Sequence, residues 1–454
     1  MRRTIILLTT LLLILTAFAQ EKVKLTLEQS IEIALKKNHS LKIQKEKLEA
    51  ARAKVGEARS NFLPKVSANA TYTRLDVAPY ISFKKMNKFM PPGPISFPDK
   101  ITMGDDDIYG AVLSVQQPIF TGFKVLNGYK IASYGVKAEK NNYQKTRAEL
   151  IFDVEKSYYD VLKADQFLKT MQESVNLLKA HIDDLNRMYK VGLITKNELL
   201  KAKVQLSDIE VTKIKAENIV NISRTAFCNV IGIPLTTDII LKPELDTGFG
   251  LQKEQISVEN AVEMALINRP ELRGMDYNLK IGKKLISLAK AEYLPNIILV
   301  GNYNYKRPNR EYESKFYKSW DVSLVAQFNI FDWGSTHYKV ANAKHQYMQM
   351  EEGKALLKNG IILEVTQACF ELEEAQKRLT ATEEAIQQAE ENYRVTDEKF
   401  KQGMATNTDL LDANTMLTQA KINHITALAD YRIAQAKLEK VTASQTNFKN
   451  EEEN

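Results

Sequence analysis

Two hydrophobic periods alternate along the chain, and each occurs twice. Val66, Ala68, Ala70 and Tyr72 are apolar while Ser67, Asn69, Thr71 and Thr73 are polar, the period-2 pattern of a strand with one apolar face. The same alternation runs through Tyr109, Ala111, Leu113 and Val115, through Ile297, Leu299, Gly301, Tyr303 and Tyr305, and through Trp320, Val322, Leu324, Ala326, Phe328 and Ile330. Strands are predicted at about 65–76, 108–119, 296–306 and 319–330. Runs of ~10 residues have the length of a tilted membrane strand, though an ordinary soluble sheet reads the same way. After each strand pair the step changes to three and four. Ile151, Val154, Tyr158, Val161, Asp165, Leu168, Gln172, Val175, Lys179 and Ile182 form one such stripe, and Leu199, Ala202, Leu206, Ile209, Lys213, Ala216, Val220, Ser223, Phe227 and Val230 another. This is a coiled-coil period with polar intrusions. Helical hairpins are predicted at about 123–232, with a tip at 191–195, and at about 334–442, with a tip at 402–406. Each outgoing helix of roughly 68 residues would reach ~100 Å, longer than a compact soluble domain needs.

The punctuation between these runs is equally regular. Thr26 with Gln29, and Ser257 with Asn260, stand at N-cap spacing before short apolar-periodic runs. A second helix is expected to end at Leu63-Pro64 and at Leu294-Pro295, because proline disfavours helix in the residue before it and suits a strand's first residue. Gly192 and Gly403 suit left-handed helix C-caps, and Thr195 and Thr406 suit the N-caps of the returning helices.

The repetition is literal. LTLEQSIEIALKKNHSLK at 25–42 matches ISVENAVEMALINRPELR at 256–273, an offset of 231 that also pairs ARSNFLPKV with AKAEYLPNI. Beyond Gln117 the offset is 211, pairing QPIF with FNIF and VGLITKNELLKAKVQL with QGMATNTDLLDANTML. The chain therefore reads as an internal duplication: a first repeat over 20–240 and a second over 241–445. Twenty extra residues fall between Tyr72 and Gln117, where PYISFKKMNKFMPPGPISFPDK is Pro-rich and aperiodic and is expected to be a long loop.

Arg2 and Arg3, the mostly apolar run Ile5–Leu15 and Ala17-Phe18-Ala19 read as a signal peptide over 1–19 with a mature start at Gln20. The run is short of the ~20 residues that a spanning anchor needs. Residues 446–454 are expected to be a disordered tail. The rest is ordinary for a folded protein, with 44% apolar and 26% charged residues. At about 150 residues per domain the length allows two or three domains. Sixty-three basic and 56 acidic residues nearly cancel, so charge makes no case for nucleic acid. Cys228 and Cys369 read as small packed residues, not as a disulfide or metal pair. His39, His181, His337, His345 and His424 show no ligand spacing with acids or cysteines, apart from the weak His337/His345 pair, and no metal site is expected. No phosphate loop or nucleophile–base pair is present, and no cofactor or enzyme activity is expected.

No stretch after residue 20 is apolar enough for a transmembrane helix, so a spanning chain must use strands. Four strands cannot close a barrel, and open edges in lipid leave backbone groups unpaired at several kcal/mol each. Several copies must then share one barrel; two, three or four copies give eight, twelve or sixteen strands, and the pattern does not choose. Aromatic residues gather toward the strand ends, among them Tyr72, Tyr109, Phe120, Tyr303, Tyr305, Trp320, Phe331 and Trp333, as expected of membrane-interface girdles.

The ordered set of duplicated Leu-Pro strand starts, QPIF/FNIF strand ends, Asn229-Val-Ile-Gly-Ile-Pro234 and Gly403-x-x-Thr406-x-x-Asp409-Leu-Leu-Asp412-Ala413 resembles the TolC-type outer-membrane efflux family, over essentially the whole stretch from Leu25 to Val441. The resemblance implies an α + β membrane protein whose trimer forms a 12-stranded β-barrel continuous with a periplasmic α-helical barrel. It implies a passive exit duct in the outer membrane of a Gram-negative bacterium, serving tripartite efflux or type I secretion. The implied partners are two further copies, outer-membrane lipid, a periplasmic adaptor and an inner-membrane transporter of RND, ABC or MFS type. It also implies site roles. Asp409 and Asp412, three apart on one helix face, match the acids that line the family's periplasmic aperture. Crowded carboxylates there would raise one another's pKa and favour cations. The plainer reading is a capping box, with Thr406 as cap and Asp409 at N3. Glu198 is the first-half counterpart of Asp409, an acid position that often latches the closed tip. The family's Arg partner for that latch is Ala405 here, leaving Lys196, Lys201 or Lys401 as candidate substitutes. Gly192, Leu193, Gly403 and Met404 would face the adaptor. The competing reading is a periplasmic adaptor or coiled-coil scaffold, which would carry one hairpin flanked by small β-domains.

Overall fold

The computed structural model describes residues 23–90, 93, 98–242 and 257–444; the expected signal peptide and C-terminal tail lie outside them. The first half runs β1 (Val23–Leu25), α1 (Leu27–Lys37), α2 (His39–Ser60), β2 (Lys65–Arg74), β3 (Tyr80–Ser82), α3 (Lys84–Phe89), β4 (Lys100–Thr102), β5 (Asp107–Phe120), α4 (Lys124–Lys190), α5 (Lys196–Ile231) and β6 (Ile239–Leu241). The second half runs α6 (Val258–Asn268), α7 (Pro270–Lys290), β7 (Asn296–Arg307), β8 (Tyr317–Gln327), α8 (Ser335–Lys401) and α9 (Asn407–Thr442). Outgoing helices α4 and α8 each have 67 residues, and returning helices α5 and α9 each have 36. Among the described residues no helix is long and apolar enough to cross a membrane.

The chain divides into two compact units. One comprises residues 1–47, 140–274 and 354–454, of which the described parts are helical apart from the parallel pair β1–β6. Its largest core joins α1, α4, α5 and that strand pair: Val154, Tyr158, Val161, Phe227 and Ile231 have no more than a trace of exposed surface. The Tyr158 hydroxyl donates to the Lys242 carbonyl at 2.7 Å, so the buried phenol is satisfied. A second core sets Ala261 and Ala265 of α6 against Val365 and Ala368 of α8 and Leu438 and Val441 of α9. Alanine at facing positions lets helix axes approach closely. Gly232 ends α5 at φ +74°, and a Cβ there would stand 2.8 Å from the Lys37 carbonyl carbon at the end of α1. The Asn38 side-chain amide donates to the Val230 carbonyl at 2.8 Å across the same joint.

Cross-ties join the two hairpins within this unit. Lys421 pairs with Glu173 and Lys163 with Asp430, both at 3.5 Å, and the Ser174 and Thr418 hydroxyls meet at 3.3 Å. The expected α4 stripe holds at Ile151, Val154, Tyr158, Val161, Val175 and Ile182, all buried, and fails at Lys179, where the buried face has shifted. Lys179 is exposed and pairs with Glu210 at 3.0 Å, while Met171, Ser174, Leu178, His181 and Leu185 are buried. A 3.6-residue helix slips against a strict seven-residue count, and α4 packs against α9 as well as α5, which widens its buried face.

The other unit comprises residues 48–139 and 275–353. It holds an antiparallel sheet in the order β2-β5-β7-β8, so β2 and β8 are its edges. Alternation sets the register: Tyr72 faces Tyr109, Leu113 faces Tyr303, and Tyr303 faces Trp320. One face is apolar and exposed, with Trp320 at 74% and Leu324 at 65% accessibility. The other face is polar; Asn302 and Asn304 donate to the Asp321 carboxylate at 2.8 and 3.1 Å.

Four expectations need correction here. The strand expected to run to 330 ends at Gln327; Phe328 and Ile330 belong to the connection into α8, whose turn puts Trp333 at φ +55°. Strand β2 stops at Arg74, before the expected 76, where the Leu75 amide turns to the Asp106 carbonyl at 2.8 Å. Helix α2 ends at Ser60 and α7 at Lys290, with a turn and a short 3₁₀ segment before the prolines. The supposed long loop contains the β3–β4 pair and α3, held by Phe83 donating to the Asp99 carbonyl at 2.9 Å and Met103 to the Pro79 carbonyl at 2.6 Å. Hydrogen bonding between its two ends supplies order where periodicity is absent.

Candidate functional site

The expected aperture residues all lie at the two hairpin tips. Helix α4 closes through Gly192 (φ +78°), with Gly192 donating to Tyr189 and Leu193 to Met188 at 3.0 and 2.9 Å. Helix α8 closes in the same way through Gly403 (φ +74°), with Gly403 donating to Phe400 and Met404 to Lys399 at 3.0 and 2.8 Å. Both glycines adopt a conformation that Cβ-bearing residues resist, which is why each tip turns there. Leu193 and Met404 project into solvent, 71% and 66% exposed.

Each returning helix starts with a reciprocal capping box. The Thr195 hydroxyl accepts from the Glu198 amide, and the Glu198 carboxylate accepts from the Thr195 amide. Thr406 and Asp409 repeat this more tightly: Asp409 Oδ2 accepts from the Thr406 amide at 2.8 Å and from its hydroxyl at 2.7 Å. These bonds hold the Asp409 carboxyl below the usual carboxylate range. Within one chain, capping therefore acts against the rise expected from a crowd of acids. Asp412 lies one turn further along, exposed on the same helix. Among the described residues Asp409, Asp412 and Glu198 form no ion pairs. Of the candidate latch cations, Lys401 is taken by Asp397 of its own helix at 2.6 Å.

A polar contact that the periodicity did not single out ties the two tips together. His181 Nε2 meets Asn407 Oδ1 at 2.7 Å, and Asn407 Nδ2 donates to the Glu198 carbonyl at 3.1 Å. The His181 ring also packs edge-on against Phe400, centroids 5.2 Å apart. Both polar side chains are buried, Asn407 at 3% exposure. Four helices thus meet at one hydrogen-bonded node: α4, α5, α8 and α9. The signal was present in the chain, since His181 stands three after Leu178 and four before Leu185 on a buried stripe. Among the described residues no cluster of three or more metal-ligating side chains occurs.

The expected interface aromatics fall at the two ends of the sheet. At one end the Tyr72 and Tyr109 rings lie 5.0 Å apart, and Tyr305 stacks on Phe316 at 4.9 Å. At the other, Phe120 meets Phe123 at 5.4 Å and Phe331 meets Trp333 at 4.9 Å. Tyr303 and Trp320, paired across β7 and β8, lie nearer the first end.

Comparison with known proteins adds independent findings. The sequence profile of the family described as "Outer membrane efflux protein" matches residues 30–232 and 261–444. The outer membrane protein TolC of Vibrio cholerae is 21% identical over 389 residues, 84% of this chain and 82% of that protein. The alkaline protease secretion protein AprF of Pseudomonas aeruginosa is 20% identical over 340 residues, 74% of this chain and 69% of that protein. The crystal structure of the CmeC outer membrane channel of Campylobacter jejuni superposes with a TM-score of 0.77 at 18% identity, covering 92% of this chain and 85% of that one.

Proposed function

The chain belongs to the outer membrane efflux protein family, a family of outer-membrane channels and not of enzymes, and from that premise we propose that three copies build a passive exit duct. Each copy contributes four strands to a twelve-stranded barrel and two helical hairpins to a periplasmic tube. An inner-membrane pump of RND, ABC or MFS type and a periplasmic adaptor supply energy and cargo. The hairpin tips meet the adaptor through Gly192, Leu193, Gly403 and Met404. The chain itself uses no cofactor.

One observation carries this reading: an antiparallel sheet whose exposed apolar face ends in two unpaired edges, β2 and β8. Such a face belongs in hydrocarbon, and such edges are admitted there only when paired. Pairing β8 of one copy with β2 of the next satisfies both. An adaptor or soluble scaffold has no use for this sheet. Of the relatives named above, one is a protease secretion protein and the others are described as an outer membrane protein and an outer membrane channel, so cargo is left as a class: solutes delivered by the pump to a wide aqueous path.

The Asp409 and Asp412 carboxylates of three copies would make a ring of six at the tip aperture. In planar bilayers, Asp409→Ala with Asp412→Ala is expected to change single-channel conductance or reduce cation preference. Unchanged traces would leave the two acids as caps alone. A protein released as a soluble monomer by osmotic shock would overturn the duct itself.

A further inference from the structure

The excursion between β2 and β5 exists only in the first half, and its chemistry differs from that of its counterpart. The β7–β8 connection at 308–316 balances its charges, with Arg310 and Lys315 against Glu311 and Glu313, and Lys315 pairs with Glu313 at 3.2 Å. The excursion, residues 75–106, also balances overall, four lysines against four aspartates, but it separates them: Asp105 and Asp106 pair with Arg307 and Arg74 at its return to the sheet, while residues 80–102 carry four lysines and one aspartate. Asp99 is occupied with α3 itself, its carboxylate accepting from the Asn87 amide at 3.3 Å and its carbonyl from Phe83. Lys100 lies over the Tyr80 ring at 4.6 Å. Among the described residues Lys84, Lys85 and Lys88 form no ion pairs, and all three are exposed.

Helical spacing sorts α3 and its C-terminal neighbour into three arcs. Lys84, Lys85 and Lys88 fall on one; Met86, Phe89 and Met90 fall beside it; Phe83 and Asn87 turn toward Asp99. The apolar arc is bare, with Phe89 86% exposed and Met86 41%. Cations beside exposed apolar side chains are the mark of a segment lying in a lipid headgroup layer. Its place in the fold agrees. It leaves the sheet at the end marked by Tyr72 and Tyr109, opposite the end where β5 passes into α4.

We propose that α3 is a lipid-binding foot, with Lys84, Lys85 and Lys88 seated on the phosphates of lipid A in the outer leaflet and Met86 and Phe89 among its acyl chains. The assignment rests on the exit-duct reading for the side of the membrane on which the excursion lies.

A photo-crosslinking benzophenone residue at Phe89, activated in intact outer membranes, is expected to capture lipopolysaccharide. Capture of a second copy of this chain, or of another protein, would overturn the proposal. In detergent, native mass spectrometry of the full-length assembly should show retained bis-phosphorylated lipid A and loss of its dephosphorylated analogue. At roughly fivefold per lysine, Lys84→Gln/Lys85→Gln/Lys88→Gln should weaken retention by about a hundredfold, and the triple Arg variant should restore it. Equal retention by the Gln variant and the unaltered protein, or equal binding of the dephosphorylated lipid, would also overturn it. Conductance is measured on the same samples. Channels with unchanged lipid retention sink the foot alone, whereas absence of channels in the unaltered protein sinks the exit-duct reading.

Discussion

Gly232 shows how much one residue can control where two helices meet. Its φ of +74° is strained for any L side chain, and a Cβ would press on the backbone of Lys37 and Asn38 within 3 Å. Neither contact can yield as a flexible side chain would. Gly232→Ala should therefore cost well over ~1 kcal/mol, read as a lowered thermal midpoint. Glu155 is a second such residue. Burial, helped by the Glu439 carboxylate, pushes its pKa up to about 7, and its Oε2 has no hydrogen-bond partner among the described residues. The folded state thus holds this proton more tightly than the unfolded chain. Its contribution is most favourable below about pH 4.5 and is lost as pH rises through about 7, a swing of about 3 kcal/mol at most. Glu155→Gln should flatten the fall in stability across that window and raise the midpoint at pH 8. A parallel pH profile in the variant would refute the assignment.

At the scale of elements, the hairpin tips combine two kinds of bond. The capping boxes at Thr195 and Thr406 are local, joining residues three apart. The His181–Asn407–Glu198 node is not local, and it joins the hairpins to each other. Removing one partner leaves a buried polar group unsatisfied at about 1–3 kcal/mol. His181→Ala and Asn407→Ala should each loosen the tip, read as faster tryptic cleavage at Lys190, Lys196 and Lys401. The double variant should cost less than the sum of the two, because the second substitution removes a group already orphaned. Strict additivity would show that the two side chains act separately. Lys401 is bound to Asp397 of its own helix, and this node is the buried hydrogen-bonded tie between the hairpins at the tip among the described residues, beside the apolar packing of Leu185 and Leu199 with Phe400 and Leu411.

For the whole molecule, the open sheet poses a question of copy number that no single chain answers. Cysteines placed at Ala70 on β2 and at Val322 or Leu324 on β8, in a background lacking Cys228 and Cys369, should link neighbouring copies. Under non-reducing denaturation the ladder is expected to stop at three. A ladder ending at two or four would change the barrel to eight or sixteen strands.

What the sequence determined by itself was everything governed by neighbours in the chain. Period 2 marked β2, β5, β7 and β8, the three–four step marked the hairpins, and glycine and threonine marked the tips. The register along α5 was equally legible, because this returning helix buries little beyond one stripe, Leu199, Ala202, Ile209, Ala216, Val220 and Phe227. Only the tertiary structure decided what depends on partners distant in the chain. It made His181 a buried tie to Asn407, 226 positions away, and moved the α4 stripe off Lys179. It also gave the aperiodic excursion a paired β3–β4 base and ended β8 at Gln327. Local periodicity records which side of an element avoids water; it carries no record of which other element lies there, since that contact is made only when separate stretches of chain come together.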